Sequence, residues 1–172
     1  SSMVCDNIKS LFVEGTKETG KVGDNSANKS IRRSSVIGFP FGTDNNNIIN
    51  KYIEKYIMMA NSECFGFDLN GMKEFQIAEY KDGGHYDEHL DMRMDNRSST
   101  RKLGITVQLS EANEYEGGEF LFSKDIETPS QDIIKQKGTV IVFPSFLYHK
   151  VMPVTKGTRY SVVGWYEGPN WR

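Results

Sequence analysis

TRYSVVGWY, residues 158–166, is the stretch that decides the fold. β-branched and aromatic residues fill it, and its length suits one strand. Read with the two-residue period of a strand, Arg159, Ser161, Val163 and Trp165 share a face, so Trp165 looks into whatever cavity Arg159 lines. Outward from it, similar short runs stand at 74–80, 105–110, 119–122 and 139–143, separated by turn residues. Before them, 44–61 reads as a helix, because Ile48, Ile49, Tyr52, Ile53, Tyr56 and Ile57 recur at helical spacing behind an Asp/Asn-rich start suited to capping. Its tyrosines and methionines are read as packing residues. Many short strands after one helix predict a mainly β protein with supporting helices, a sandwich or jelly roll.

A chain of 172 residues fits one domain with a sizeable core. Residues 1–35 are polar and mixed apart from Ile8, Leu11, Phe12 and Val13, and are expected to be an N-terminal extension or edge segment, a first edge strand or a short helix, belonging to the same domain as 36–172. Two long polar stretches, 92–102 and 124–136, interrupt the strands, and the first is a candidate lid. The formal net charge is only −2, which argues against nucleic acid or an anionic membrane as partner. Two scattered cysteines, Cys5 and Cys64, make no disulfide framework and no zinc knuckle. No apolar leader segment follows Met3 and no long apolar span occurs, so a soluble, cytoplasmic protein is expected.

The chemistry lies in three histidines, His85, His89 and His149. His85-x-Asp87 and His89-x-Asp91 are both H-x-D pairs, and on an extended chain 85, 87, 89 and 91 point to one side, so spacing alone does not choose between them. The second pair is favoured because His85 directly follows the Gly83-Gly84 turn. Two imidazoles and one carboxylate hold Fe(II) on one face and leave the other open. Arg159, ten residues beyond His149, is a rigid fork suited to gripping a carboxylate, which points to a dicarboxylic cosubstrate. Zinc also accepts such ligands, and a jelly roll can carry a structural metal without catalysis; a zinc hydrolase and a non-catalytic binding module are therefore the readings from other classes. Because the imidazoles must be neutral to bind, metal affinity is expected to fall as pH drops through the histidine range.

Tyr80-x-x-Gly83-x-x-Tyr86-x-x-His89-x-Asp91 resembles the motif of the prolyl 4-hydroxylase branch of the Fe(II)/2-oxoglutarate dioxygenases. RKLGITVQLS (101–110), Glu116-Gly117-Gly118-Glu119, Phe143-Pro144-Ser145 leading to His149, and VMPVTKGTR (151–159) with Trp165 extend the similarity, which is strongest to bacterial PKHD-type members. The resemblance implies a double-stranded β-helix, with His89, Asp91 and His149 as iron ligands. It implies that Arg159 pairs with the distal carboxylate of 2-oxoglutarate, that Tyr80 lines that pocket, and that Gln108 stands where relatives often carry a tyrosine. Tyr86, Arg101 and Trp165 match positions flanking the target residue. The implied activity is hydroxylation of a protein or peptide, proline first, using Fe(II), 2-oxoglutarate and O2, with L-ascorbate as a reductant and succinate and CO2 as coproducts. Hydroxylation of a small molecule or free amino acid is the alternative within the same chemistry.

Overall fold

A computed structural model describes residues 1–14, 17–20, 28–92, 100–123 and 125–171. The helices among them are α1 (Ser2–Glu14), α2 (Asp44–Ala60) and α3 (Gln131–Ile134). The strands are β1 (Glu18–Thr19), β2 (Arg32–Arg33), β3 (Ser35–Pro40), β4 (Gly71–Lys81), β5 (His85–His89) and β6 (Arg101–Gln108). They continue with β7 (Tyr115–Gly117), β8 (Phe120–Phe122), β9 (Val140–Pro144), β10 (His149–Val151) and β11 (Val154–Glu167). The larger sheet runs β1-β3-β4-β11-β6-β9, with β7 paired to the start of β11; the smaller runs β2-β5-β10-β8. Every pairing is antiparallel. This is the expected jelly roll with few helices.

Alternation along the central strands sorts residues into two layers. Phe75, Ile77, Leu103, Ile105, Val107, Val162 and Tyr166 face the helices, where they meet Ile49, Ile53 and Ile57 of α2 and Cys5, Ile8 and Phe12 of α1. The opposite face carries Ala78 and Tyr80, which share a second cluster with Phe120, Phe143 and Val151. The space between the sheets is where Arg159, Ser161 and Trp165 also lie buried.

The predicted helix starts where expected: Thr43 caps it by accepting from the Asn46 amide at 3.3 Å, and Asn46 ties it to the Phe39 carbonyl at 2.8 Å. It ends at Ala60 and passes into a π turn, Asn61–Phe65, closed by Gly66 at φ 65°. The reading of its tyrosines and methionines as packing residues needs correction. Ile48, Tyr52, Tyr56, Met58 and Met59 are exposed, because a helix lying on one sheet face buries only one stripe, here Ile49, Ile53 and Ile57. The apolar cluster near the N-terminus is a thirteen-residue helix and not an edge strand. Ion pairs Lys137–Asp6 (2.5 Å) and Lys9–Glu114 (3.2 Å) hold α1 at the molecule's flank. Of the two polar stretches, 93–99 lies outside the described residues, and the second contains α3, started by the Ser130 side chain and anchored by buried Ile134.

Candidate metal centre and adjoining pocket

β5 ends on His89 and β10 begins on His149, and the two are register partners across the smaller sheet. Asp91 follows two residues after His89, at the bend that leaves the strand. The pairing therefore brings together residues sixty positions apart in the chain. His89 Nε2 lies 3.9 Å from Asp91 Oδ1, and His149 Nε2 lies 3.7 Å from Asp91 Oδ2. One ligand atom from each of the three falls within 4.8 Å of the others.

Backbone carbonyls orient both imidazoles. His89 Nδ1 donates to the Asp87 carbonyl at 2.8 Å and His149 Nδ1 to the Leu147 carbonyl at 3.0 Å. A carbonyl can only accept, so each Nδ1 carries the donating proton and each Nε2 is the nitrogen turned toward Asp91. Burial, reinforced by the neighbouring His149 and opposed by Asp91, takes the His89 pKa down from 6.5 to about 4. Its ring is thus kept neutral through mild acid, further than the ordinary histidine range expected from the sequence. Two imidazoles and a carboxylate that converge on one point fit a divalent iron.

The walls are aromatic. Phe143 and Phe120 lie against His149 with centroids 4.6 and 5.5 Å away. Tyr86 stacks on His89 at 3.5 Å and 12°, and the Arg32 guanidinium lies 4.5 Å over the phenol ring. Gly104 clears room for the carboxylate: a Cβ there would sit 2.6 Å from Asp91 Oδ2 and 2.8 Å from the Phe143 ring. The rival pair is elsewhere. Both nitrogens of His85 face carbonyls, of Gly83 at 3.0 Å and Ser30 at 3.2 Å, while Asp87 is exposed.

Arg159 lies opposite Tyr80 in the β11–β4 pairing, its guanidinium 5.6 Å from the Tyr80 ring centre. It is 3% exposed and donates to Ser161 Oγ at 3.4 Å. Among the described residues no carboxylate comes within ion-pair distance of it. Glu119 feels Arg159 electrostatically but makes its contact ion pair with Lys135 at 2.7 Å, so the buried guanidinium has no contact anion, and an acidic ligand beside it would offset the cost of its burial. Gln108, the partner of Ser161 across β6, is turned to Tyr115, whose phenol oxygen accepts from Gln108 Nε2 at 2.8 Å. Arg101 lies 3.9 Å over the Trp165 ring and donates to the Asp91 carbonyl at 3.2 Å, so these two sit on the carboxylate side of the cluster. Trp165 pairs with Gly104 and keeps a buried indole N–H without a partner.

Sequence reasoning missed Arg32, Gly104 and Tyr115. A glycine inside a strand signals close approach of another group, so Gly104 was recoverable. Tyr115, just before Gly117-Gly118, and Arg32, in a polar segment, carry no comparable signal.

Residues 75–167 match the family model of the 2OG-Fe(II) oxygenase superfamily. A PKHD-type hydroxylase of Idiomarina loihiensis is 32% identical over 100 residues, covering 56% of this chain and 44% of that protein. One of Prochlorococcus marinus is 33% identical over 122 residues, covering 71% of this chain and 52% of the other. The chain thus spans about half the length of the curated relatives it matches. A solved Pseudomonas putida prolyl-4-hydroxylase superposes with a TM-score of 0.73 at 21% identity, covering 97% of this chain and 88% of that one. A Trichoplax adhaerens prolyl hydroxylase, solved with a hypoxia inducible factor peptide fragment, gives 0.76 at 16% identity, covering 96% and 77%. These structures share the fold. Since the family match runs from β4 through β11 and takes in more than half of the sequence, the chain belongs to the 2OG-Fe(II) oxygenase superfamily.

Proposed function

We propose that this protein is an Fe(II)- and 2-oxoglutarate-dependent hydroxylase acting on a protein or peptide, with proline as the target residue. The observation that carries the reading is the buried Arg159 guanidinium, without a carboxylate partner among the described residues, in the same inter-sheet space as the His89–Asp91–His149 cluster. In this reading His89 Nε2, His149 Nε2 and an Asp91 oxygen hold the iron, and Arg159 takes the distal carboxylate of 2-oxoglutarate beside Tyr80. Iron and 2-oxoglutarate, when bound, supply the oxidising power that puts one oxygen atom of O2 into a C–H bond and the other into succinate, with release of CO2. The protein's part is to orient the ligands through the Asp87 and Leu147 carbonyls and to keep the space dry with Phe120, Phe143 and Trp165. Tyr86, Arg101 and Trp165 flank the cluster and are assigned to the substrate side. Hydroxylation is supported by the PKHD-type hydroxylase relatives, and the proline preference by the prolyl hydroxylases that share the fold.

Residues 1–35 and 36–172 are assigned to a single catalytic domain, a division supported by the contact of Arg32 with Tyr86. L-ascorbate is assigned as the reductant that restores ferrous iron. No helix among the described residues is long and apolar enough to cross a membrane. The test is succinate release from 2-oxoglutarate under air with Fe(II), with and without proline-containing peptides. Peptide-stimulated succinate matched by hydroxylated peptide is expected; succinate stimulated only by free amino acids would move the target class, and no succinate from iron-loaded protein would remove the activity.

A further inference from the structure

The face of the larger sheet that looks between the sheets continues past Trp165 onto β4 and β3. Glu74 is the cross-strand partner of Trp165 and Gln76 that of Val163, while Pro40 and Gly38 of β3 pair with Glu74 and Gln76. Alternation puts these residues on the face that carries Ala78 and Tyr80. Gly38 and Pro40 are exposed, so this end of the face is open to solvent. Gly104, which clears room for Asp91, lies two strands from Glu74, about 10 Å at the usual strand spacing. Glu74 therefore borders the space beside the metal cluster, with Trp165 on the strand between.

Polar groups on this stretch lack the partners their chemistry calls for. Gln76 donates through Nε2 to Glu74 Oε1 at 3.1 Å, and an ionised carboxylate only accepts, so Gln76 Oε1 is turned away, buried and without a donor. The Trp165 indole N–H, one strand over, is buried and without an acceptor. Glu74 itself meets no cation within ion-pair distance among the described residues. Arg101, from β6 on the other side of β11, lies over Trp165 and donates to the Asp91 carbonyl. At Gly38 a Cβ would come 3.1 Å from Glu74 Oε1, so the absent side chain leaves the carboxylate uncovered. A partly buried carboxylate beside a buried amide oxygen offers two acceptors, and an ammonium or guanidinium brings several N–H donors on one positive charge. We propose that Glu74, with Gln76 beside it, is a specificity-determining subsite for a cationic side chain, so that the preferred substrate carries a lysine or arginine within a few residues of its target. The proposal rests on the reading in which the substrate is a peptide.

The test uses short alanine-based peptides with a central proline, in which lysine, its neutral isostere norleucine, or glutamate is placed in turn at each position around the proline. Their affinities for protein loaded with Fe(II) and 2-oxoglutarate are measured by calorimetry without oxygen, and hydroxylation is then followed by mass spectrometry under air. At one or more positions lysine is expected to bind about tenfold or more tighter than norleucine, the size of a hydrogen bond to a charged group. In Glu74→Gln that ratio is expected to fall to about one, and in Glu74→Lys the glutamate peptide is expected to bind better than the lysine peptide. Each ratio is taken within one protein, so a change in overall stability does not imitate the result. Equal affinity for lysine and norleucine peptides at every position, or a lysine preference that persists in Glu74→Gln, would overturn the proposal; hydroxylated proline in those same peptides would leave the peptide reading standing. Succinate release without binding or hydroxylation of any peptide would remove both.

Discussion

His149 and His89 are register partners on adjacent antiparallel strands, with ring centroids 4.3 Å apart and both Nε2 atoms turned to Asp91. The two outer donors of the candidate metal centre are thereby fixed by sheet hydrogen bonding, and Asp91 needs only the bend after β5 to join them. Replacing His89 by alanine is expected to abolish tight Fe(II) or Co(II) binding, while His85→Ala keeps it, because the His85 ring nitrogens face the Gly83 and Ser30 carbonyls and lie outside the cluster. Metal titration followed by a thermal melt checks this, since a metal at one hundred times its dissociation constant raises stability by about 2.7 kcal/mol. Loss of binding in His85→Ala alone would reverse the assignment.

The depressed pKa of His89 sets a pH dependence for the metal-free protein. The unfolded histidine titrates near 6.5 and the folded one near 4, so between these values the unfolded chain binds more protons. Stability is therefore full above the unfolded value and is lost as pH falls from about 6.5 toward about 4, by roughly 3 kcal/mol. Denaturant melts at pH 7 and pH 4.5, in wild type and His89→Ala, isolate this contribution. An equal slope in both proteins would place the loss at other groups.

Gly104→Ala tests the clearance around the carboxylate. The added methyl would sit 2.6 Å from Asp91 Oδ2 and 2.8 Å from Phe143, and neither an aromatic ring in the core nor a carboxylate held between His89 and His149 can give way freely. Overpacking of this kind costs about 1–3 kcal/mol. Metal affinity is expected to fall along with the melting temperature, whereas an alanine that lowered neither would show that Asp91 has room to move.

Arg32 reaches the candidate metal centre through Tyr86, whose ring lies 4.5 Å from the Arg32 guanidinium and stacks on His89. A desolvated cation–π contact contributes up to about 2 kcal/mol. Arg32→Ala is expected to lower both stability and metal affinity, with the Co(II) visible spectrum reporting any tilt of the His89 ring. Partial rescue by Arg32→Lys of stability but not of the spectrum would separate charge from stacking.

The central strands were legible because they carry β-branched and aromatic residues: 158–166 lies within Val154–Glu167, and 139–143 is nearly Val140–Pro144. β5, with the sequence HYDEH, and β10, HKV, were not read as strands in this way, since they are polar and owe their form to pairing with each other and with β2 and β8. The cluster residues were legible by type, and the choice between the two H-x-D pairs came from the surrounding motif, because both pairs have the same spacing. Arg32 was hidden because its role arises from a contact over a long sequence distance, with Tyr86.

The measurement that bears most directly on the central claim is anaerobic calorimetry of 2-oxoglutarate binding with and without Fe(II), in wild type, His149→Ala and Arg159→Ala. Tight binding that requires the metal and is weakened at least about tenfold by either substitution is expected, since one ligand then bridges the His–Asp–His cluster and the buried guanidinium. Binding that ignored the metal, or that survived both substitutions unchanged, would contradict the account.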